Sequence, residues 1–241
     1  MRYAILGDLH GNLEALEAAL KKLRTLGIDR YLQVGDVVGY GADPGPCIQA
    51  MRDLNAVVVA GNHDWAVIGK LDADFFNAYA RAAVEWTRSV LTVDDRRWLE
   101  RLPLRRVIDD DVEIVHATLD QPEVFDYIQS YYEASRSMDA MQSTVCFNGH
   151  SHIPLIFSRS PTLSHSQAAK FTLPANARAL INVGSVGQPR DEDPRCAFAV
   201  YDSKDRTYVL HRAEYDIRGA AAKIRRAGLP SVLAERLALG Q

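Results

Sequence analysis

The sequence predicts an α/β fold whose first half builds a largely parallel sheet. Two observations support this prediction. Short apolar runs alternate with amphipathic stretches in the first half, and strand-like runs dominate the second half. Alternating strands and helices are typical of parallel sheets. The chain has 241 residues, of which 47% are hydrophobic, so it can bury a sizeable core; we expect one domain over residues 1–241.

Strands and helices alternate over the first 60 residues. In the first helix, leucines recur at helical spacing between charged residues, with Asn12 as the expected N-cap and Gly27 as the expected stop. The third strand is an unbroken apolar run, as expected for a strand buried on both faces. The predicted strands are 3–6, 31–34 and 56–60, and the predicted helices are 12–26 and 44–53.

The remaining chain is expected to continue with helices, then strands, then helices. Residues 73–101 have a helical pattern, and their aromatic side chains are expected to lie in the core: Phe75, Phe76, Tyr79, Trp86 and Trp98. The predicted strands are 112–115, 144–147, 153–157, 179–181, 197–201 and 207–210. Residues 215–239 are predicted to be helical with a break at 228–230. The polar segment 158–169 is predicted to be a mobile loop.

The charge balance argues against a protein that binds extended nucleic acid. Lys and Arg total 28 and Asp and Glu total 31, so the net charge is −3 and there is no broad basic field. The three cysteines are far apart and form no CxxC pair, which argues against a disulfide framework or a cysteine zinc site. Targeting and membrane-spanning patterns are lacking, so we expect a cytoplasmic protein without membrane contact.

Metal-competent side chains follow five of the predicted strands, usually after a glycine. Ligands of α/β sheets bind at the carboxyl ends of the strands. The pattern therefore predicts one cluster at one sheet edge, although a single Asp or His in such a place is more often a cap or a structural residue. The residues are Asp8, His10, Asp36, Asn62, His63, His116, His150 and His152. His165 and His211 lie outside the pattern and are expected to be structural.

This donor set combines oxygen and imidazole ligands without cysteine. Such a set suits Mn, Fe, Co, Ni or Zn better than Ca. Eight donors exceed the needs of one ion and suit two, which would share a carboxylate and lie ~3.5–4 Å apart. We therefore expect two divalent transition-metal ions, with Mn as the first candidate.

These motifs resemble those of the calcineurin-like metallophosphoesterases. The resemblance rests on Gly7-Asp8-Leu9-His10-Gly11, Gly35-Asp36, Gly61-Asn62-His63-Asp64, His116 and Gly149-His150-Ser151-His152. The segment Asn182-Val183-Gly184-Ser185-Val186-Gly187-Gln188-Pro189 resembles an element of the small prokaryotic phosphodiesterase-like branch. The resemblance implies a four-layer α/β/β/α sandwich of two mixed sheets flanked by helices, the metallo-dependent phosphatase fold.

The resemblance also implies a role for each matching residue. Asp8, His10 and His152 would bind one ion, Asp36 would bridge both ions, and Asn62, His116 and His150 would bind the second. His63 would face the phosphate and help the leaving group.

Three further residues are assigned roles by inference from their chemistry. Asp64 is a candidate for orienting His63, because a carboxylate commonly holds such an imidazole. Arg190 and Tyr40 are candidates for contact with the substrate.

The implied activity is hydrolysis of a small phosphoester by a metal-bridging hydroxide. A phosphodiester is favoured, because the Arg that protein phosphatases carry soon after the second motif is missing from residues 37–41. The alternatives are a phosphomonoesterase or protein phosphatase, a dinucleoside-polyphosphate hydrolase, and a non-catalytic metal-binding scaffold. The natural substrate and the oligomeric state are not predicted.

Overall fold

Two six-stranded mixed sheets lie face to face in the computed structural model, which describes residues 1–109 and 111–241. The strands are β1 (Arg2–Leu6), β2 (Arg30–Gln33), β3 (Val57–Val58), β4 (Arg105–Val107), β5 (Val112–Val115), β6 (Val145–Asn148), β7 (Leu155–Arg159), β8 (Leu163–Ser166), β9 (Lys170–Thr172), β10 (Arg178–Asn182), β11 (Cys196–Asp202) and β12 (Thr207–Ala213). The first sheet has the order β3-β2-β1-β11-β12-β9 and the second the order β4-β5-β6-β10-β7-β8.

Helices cover the outer faces of both sheets. They are α1 (Leu13–Leu23), α2 (Pro44–Asp53), α3 (Asn62–Val67), α4 (Ala78–Val90), α5 (Val93–Glu100), α6 (Tyr131–Asp139), α7 (Ile217–Arg226) and α8 (Ser231–Glu235). Short 3-10 turns lie at Ala73–Phe75 and Arg236–Ala238. None of the helices in the described residues has the length and apolar character needed to cross a membrane.

The alternation of side chains along each strand produces the layers. Tyr3 and Ile5 of β1 pack between the sheets, together with Phe147 of β6. Ala4 and Leu6 point the other way, into the cluster that α1 and α2 cover. Each fully buried large apolar side chain contributes ~1.5–3 kcal/mol of transfer free energy. The four-layer α/β/β/α sandwich is therefore confirmed.

Parallel pairing brings the functional strand ends together. In the first sheet, β1 pairs parallel with β2, and β2 with β3. In the second sheet, β5 pairs parallel with β6, and β6 with β10. Each sheet therefore presents several carboxyl strand ends at one edge, and the loops that follow them lie close together.

The segment 158–169 is not the predicted mobile loop. It contains the end of β7, the strand β8 and the turn between them, paired from Ile156↔Ser166 to Arg159↔Leu163. Its polar side chains mark an edge strand that is exposed on one side, a pattern that composition alone does not distinguish from a loop. Strands β4 and β9 and helix α6 were not predicted either.

The helical region 73–101 is divided, and part of its aromatic stripe is outside the core. Asn77 caps α4 and Thr92 caps α5, so the chain breaks between them. Phe75 is 82% exposed and Tyr79 is 52% exposed, which contradicts their predicted burial. Phe76 lies at the wall of the cleft described below.

Candidate metal centre

All of the side chains predicted as metal ligands meet at one edge of the two sheets. Five of the cluster residues have left-handed backbone conformations, at φ angles between 47° and 70°. Such conformations cost ~1–3 kcal/mol each for residues other than glycine and are concentrated at functional sites. The five are Asp8, His10, Asp36, His150 and His152. The strained backbone at these five residues therefore directs their side chains toward a common point.

The first half of the site consists of Asp8, His10 and His152, all buried. The Nε2 atoms of the two histidines lie 3.0 Å apart, and His152 Nε2 lies 3.3 Å from Asp8 Oδ1. Two ligand atoms bound at ~2.1 Å to one ion are about 3.0–3.4 Å apart. The spacing of this half therefore matches a shared cation.

Hydrogen bonds behind the rings fix which nitrogen faces the site. His10 Nδ1 lies 3.1 Å from the carbonyl of Val38, and His152 Nδ1 lies 2.6 Å from that of Gln188. A carbonyl only accepts, so each Nδ1 carries the proton and each Nε2 presents a lone pair. Burial lowers the pKa of both rings, which keeps them neutral. The two lone pairs face each other at 3.0 Å, an arrangement that a cation between them would stabilise.

The second half of the site consists of Asn62, His116 and His150. His116 Nε2 lies 3.1 Å from both Asn62 Oδ1 and His150 Nδ1. His116 Nδ1 lies 2.9 Å from the carbonyl of Val34, which again turns Nε2 toward the centre. The spacing is that of a second set of ligands for one ion.

Asp36 lies between the two halves. Its Oδ2 atom is 3.7 Å from His10 Nε2 and 3.4 Å from His116 Nε2, while its Oδ1 accepts a hydrogen bond from the His63 backbone at 2.9 Å. Asp36 Oδ2 therefore faces both halves of the site, and Asp36 Oδ1 holds the backbone at His63. A Cβ atom at Gly61 would collide with the Asp36 carboxylate, which explains the glycine before Asn62.

The electrostatics of Asp36 and His116 are those of a buried ion pair. Burial alone would raise the pKa of Asp36, but the imidazoles around it, His116 first, hold that pKa well below its ordinary value. Burial opposes protonation of His116, yet the Asp36 carboxylate raises the pKa of His116 to about 9. Without metal, His116 is therefore protonated at pH 7. It must lose this proton before it can bind a metal ion.

These residues fit divalent transition-metal ions. The groups able to hold a cation are Asp8–His10–His152, His10–Asp36–His63 and Asp36–His116–His150, each with ligand atoms within 4.8 Å of one another. Mixed carboxylate and imidazole donors match Mn, Fe, Co, Ni and Zn. Asp36 belongs to groups on both sides, as a shared carboxylate requires.

His63 is placed beside the metal groups, but Asp64 does not orient it. The Asp64 carboxylate accepts hydrogen bonds from the backbone N–H groups of Asp36, Val38 and Gly61, at 2.9, 3.2 and 2.9 Å. Among the described residues, His63 Nδ1 has no hydrogen-bond partner. The role inferred for Asp64 from the sequence is therefore wrong, because its oxygens bind the loops that follow β2 and β3.

Burial sets the protonation of these two residues. It lowers the pKa of His63 to about 4, so the ring is neutral at pH 7 before a substrate arrives. Burial, together with the charge of Asp36, raises the pKa of Asp64 to about 7. The neutral His63 ring still has one N–H to donate.

A cleft of about 500 Å³ opens from the centre to the surface. Tyr40 and Arg190, both predicted to contact substrate, are among its lining residues. Arg190 Nη2 donates a hydrogen bond to Gln188 Oε1 at 2.9 Å, and its guanidinium lies 5.7 Å from the centre of the Tyr40 ring. The structure thus brings these two residues together at the site edge.

Several residues that build the site were not predicted from the sequence as site residues. Tyr127 stacks on His150 with ring centroids 4.1 Å apart, and Phe125 lies edge-on to His116. Ser185 Oγ donates to the backbone carbonyl of Asp8 at 2.8 Å, so the segment after β10 supports the loop after β1. The aromatic residues lie in an irregular segment, where no periodicity indicates their direction.

Comparison with known proteins agrees with this geometry. The family model described as the calcineurin-like phosphoesterase superfamily domain matches residues 1–206. The chain belongs to the calcineurin-like phosphoesterases. An uncharacterized protein of Methanocaldococcus jannaschii is 38% identical over 99% of this chain and 98% of its own length.

Solved structures of similar proteins share the whole fold. A metallophosphoesterase from Sphaerobacter thermophilus is 37% identical, with a TM-score of 0.89 over 100% of this chain and 99% of its own. A hypothetical protein from Pyrococcus horikoshii has a TM-score of 0.82 at 21% identity, over 100% of this chain and 98% of its own. The latter similarity concerns the fold alone.

Proposed function

We propose that this calcineurin-like phosphoesterase hydrolyses small phosphodiesters with the help of two divalent transition-metal ions, Mn being the first candidate. The observation that carries the proposal is Asp36 Oδ2, which faces one ligand group through His10 and another through His116. A shared carboxylate between two ligand groups is the requirement of a two-metal site. Cations bound there would neutralise phosphoryl oxygens and lower the pKa of water, which supplies a nucleophile at neutral pH.

The chain's own residues supply the remaining steps. His63 lines the cleft beside His10 and Asp36, and we assign it to the oxygen that leaves. Its N–H then stabilises the negative charge that develops on that oxygen. Arg190, steadied by Gln188 and Tyr40, is placed to bind a phosphoryl oxygen and align the ester.

The lining of the cleft favours a diester over a monoester. Arg190 is the one Lys or Arg among the described lining residues, whereas several apolar or aromatic side chains form the walls. A phosphodiester has one negative charge and two substituents, so it suits one cation and an apolar wall. A phosphomonoester dianion would benefit from more cationic partners. The apolar and aromatic wall residues include Leu71, Phe75, Phe76, Val124, Phe125 and Tyr127.

The proposal is tested by a rate comparison on the reloaded protein. The chain is stripped with a chelator, reloaded with Mn²⁺, and assayed with bis-p-nitrophenyl phosphate and p-nitrophenyl phosphate. We expect a higher kcat/KM for the diester and loss of both activities after chelation. The Asp36→Asn variant, purified in the same way, is the control for contaminating hydrolases. Faster monoester cleavage would contradict the diester preference, and absence of any metal-dependent hydrolysis would favour a scaffold.

A further inference from the structure

Tyr127 presents part of its ring to the cleft directly beside the metal groups. One face of the ring stacks on His150, with the ring centroids 4.1 Å apart and the ring planes at 21°. Tyr127 is nevertheless 46% exposed and lines the cleft that opens from the centre. Because aromatic rings prefer offset stacking on one another, the open side of Tyr127 can stack on a second flat group.

The segment that carries Tyr127 is anchored on both sides of this residue. Phe125 has a left-handed backbone conformation, with a φ angle of 59°, and its buried ring lies edge-on to Trp65 at a centroid distance of 5.4 Å. A residue other than glycine keeps this conformation only where the surrounding structure holds it. Ile128 packs against an apolar cluster that includes residues of α6. Tyr127 therefore lies between two packed neighbours, which fix its position before a ligand binds.

Tyr127 and His63 lie over different halves of the site. The His63 ring is 4.9 Å from the ring of His10, which belongs to the first ligand group. Tyr127 covers His150, which belongs to the second ligand group. Since His63 is assigned to the oxygen that leaves, the substituent that stays on phosphorus extends toward the other half of the site, over Tyr127.

The surroundings of Tyr127 favour an uncharged, flat substituent. Val124 and Glu123 are exposed and line the same cleft. The negative charge of Glu123 disfavours a second anionic group on the substituent. An aliphatic group would gain from burial against Val124, whereas a planar ring would also gain from stacking on Tyr127. The cleft volume of about 500 Å³ is that of an ordinary small-molecule site, so it accommodates such a ring beside the phosphate.

We infer that Tyr127 is a specificity residue, and that the substituent that stays on phosphorus carries a planar aromatic ring, either an aryl group or a nucleobase. This inference rests on the proposed function, since it names the class of diester that the site prefers. The ring of the substituent, the ring of Tyr127 and the ring of His150 then form one stack over the second ligand group.

The kinetic test varies only the substituent that stays on phosphorus. The Mn²⁺-loaded protein is assayed with benzyl p-nitrophenyl phosphate and cyclohexylmethyl p-nitrophenyl phosphate, which share a leaving group and differ in whether the retained ring is flat. We expect kcat/KM to be about 5-fold higher for the benzyl ester, mainly through KM. Tyr127→Leu should reduce this ratio to about one, and Tyr127→Phe should keep it. Tyr132→Leu, at an exposed tyrosine of α6 outside the described lining of the cleft, is the matched control and should keep the ratio.

Binding without turnover separates this inference from the proposed function. Calorimetry on the metal-loaded protein compares benzyl phosphate with cyclohexylmethyl phosphate, and thymidine 5′-monophosphate with its 5,6-dihydro derivative, whose base is not flat. We expect the flat member of each pair to bind about 5-fold more tightly, and Tyr127→Leu to remove this preference at unchanged metal content. A larger preference in the second pair identifies the ring as a nucleobase, and a larger preference in the first pair identifies it as an aryl group.

Two results would overturn the inference: equal affinities within both pairs in the unaltered protein, or a preference that Tyr127→Leu retains. If the preference for flat rings persists while neither diester is cleaved, the proposed function fails and the stacking site at Tyr127 stands.

Discussion

The histidines of the site differ in how their rings are held. His10, His116 and His152 each place Nδ1 against a backbone carbonyl, which makes them suitable as fixed ligands. His63 has no such contact among the described residues, and its ring packs edge-on to His10 and Phe76 instead. His150 Nε2 likewise has no hydrogen-bond partner among the described residues, but His150 Nδ1 lies 3.1 Å from His116 Nε2. We propose that His63, unlike these four histidines, acts on the leaving group and does not bind metal.

His63→Ala tests this distinction. We expect the variant to retain its metal ions and to lose about 100-fold or more in kcat, with a larger loss for diphenyl phosphate than for bis-p-nitrophenyl phosphate, because the poorer leaving group needs more stabilisation. Turnover and metal content measure the two effects separately. His165→Ala, a histidine that contacts Tyr131 outside the site, is the control. Loss of metal from His63→Ala would show that His63 is a ligand, as the His10–Asp36–His63 grouping also permits.

At the scale of elements, the site depends on how the loops after the strands are joined. Asp64, in the first turn of α3, binds backbone N–H groups in the loop after β2 and at the start of its own helix. It therefore fixes Asp36, whose Oδ2 faces both ligand groups, relative to Asn62. A carboxylate next to a histidine in sequence suggested a direct contact, but the turn of the helix directs the two side chains to different partners.

The Asp64→Asn substitution tests whether Asp64 joins these loops. An amide nitrogen in place of one oxygen would face a backbone N–H, leaving buried donors unsatisfied at a cost of ~1–3 kcal/mol. We expect a lower Tm, weaker metal binding and lower activity. Asp53→Asn, on the exposed face of α2, should match the unaltered protein. An Asp64→Asn variant with the Tm and the metal content of the unaltered protein would contradict this positioning role.

The elements that sequence reasoning recovered are those with a strong period or a strand-end motif. The rule that ligands follow parallel strands predicts that Asp8, Asp36 and His150 lie near one another, and strand pairing does bring these strand ends together. Helix α6 was not predicted from the sequence, although Ser130 and Glu133 form a capping box at its start. The strand at 153–157 overlaps β7, whereas β8 falls in the predicted loop 158–169 because this strand is polar and lies at an edge.

The cleft walls could not be predicted for a different physical reason. Tyr127 and Phe125 lie in an irregular segment, where the side-chain direction depends on tertiary contacts and not on a repeating pattern. The aromatic stripe of residues 73–101 was assigned to the core because its spacing is helical. Phe75 is instead exposed and lines the cleft, outside the core.

Over the whole molecule, metal binding should be coupled to proton release. Asp36 raises the pKa of His116 to about 9, above the ~6.5 of an unfolded histidine, so their ion pair stabilises the metal-free fold below pH 6.5, and that contribution is lost as the pH rises through about 9. A metal ion must displace this proton. We expect uptake of Mn²⁺ at pH 7 to release about one proton and its affinity to increase between pH 7 and 9. Calorimetry in buffers of different ionisation enthalpy measures the release; no release at pH 7 would contradict the pairing.

The number of metal ions per chain tests most simply whether two ions share the Asp36 carboxylate. The protein is stripped with a chelator, reloaded with Mn²⁺, freed of excess metal and analysed by inductively coupled plasma mass spectrometry, beside Asp36→Asn and the control Asp53→Asn. We expect two ions per chain in the unaltered protein and in Asp53→Asn, and fewer than one in Asp36→Asn, because Asp36 Oδ2 faces both ligand groups. One ion per chain in the unaltered protein, or two retained by Asp36→Asn, would contradict the shared-carboxylate centre.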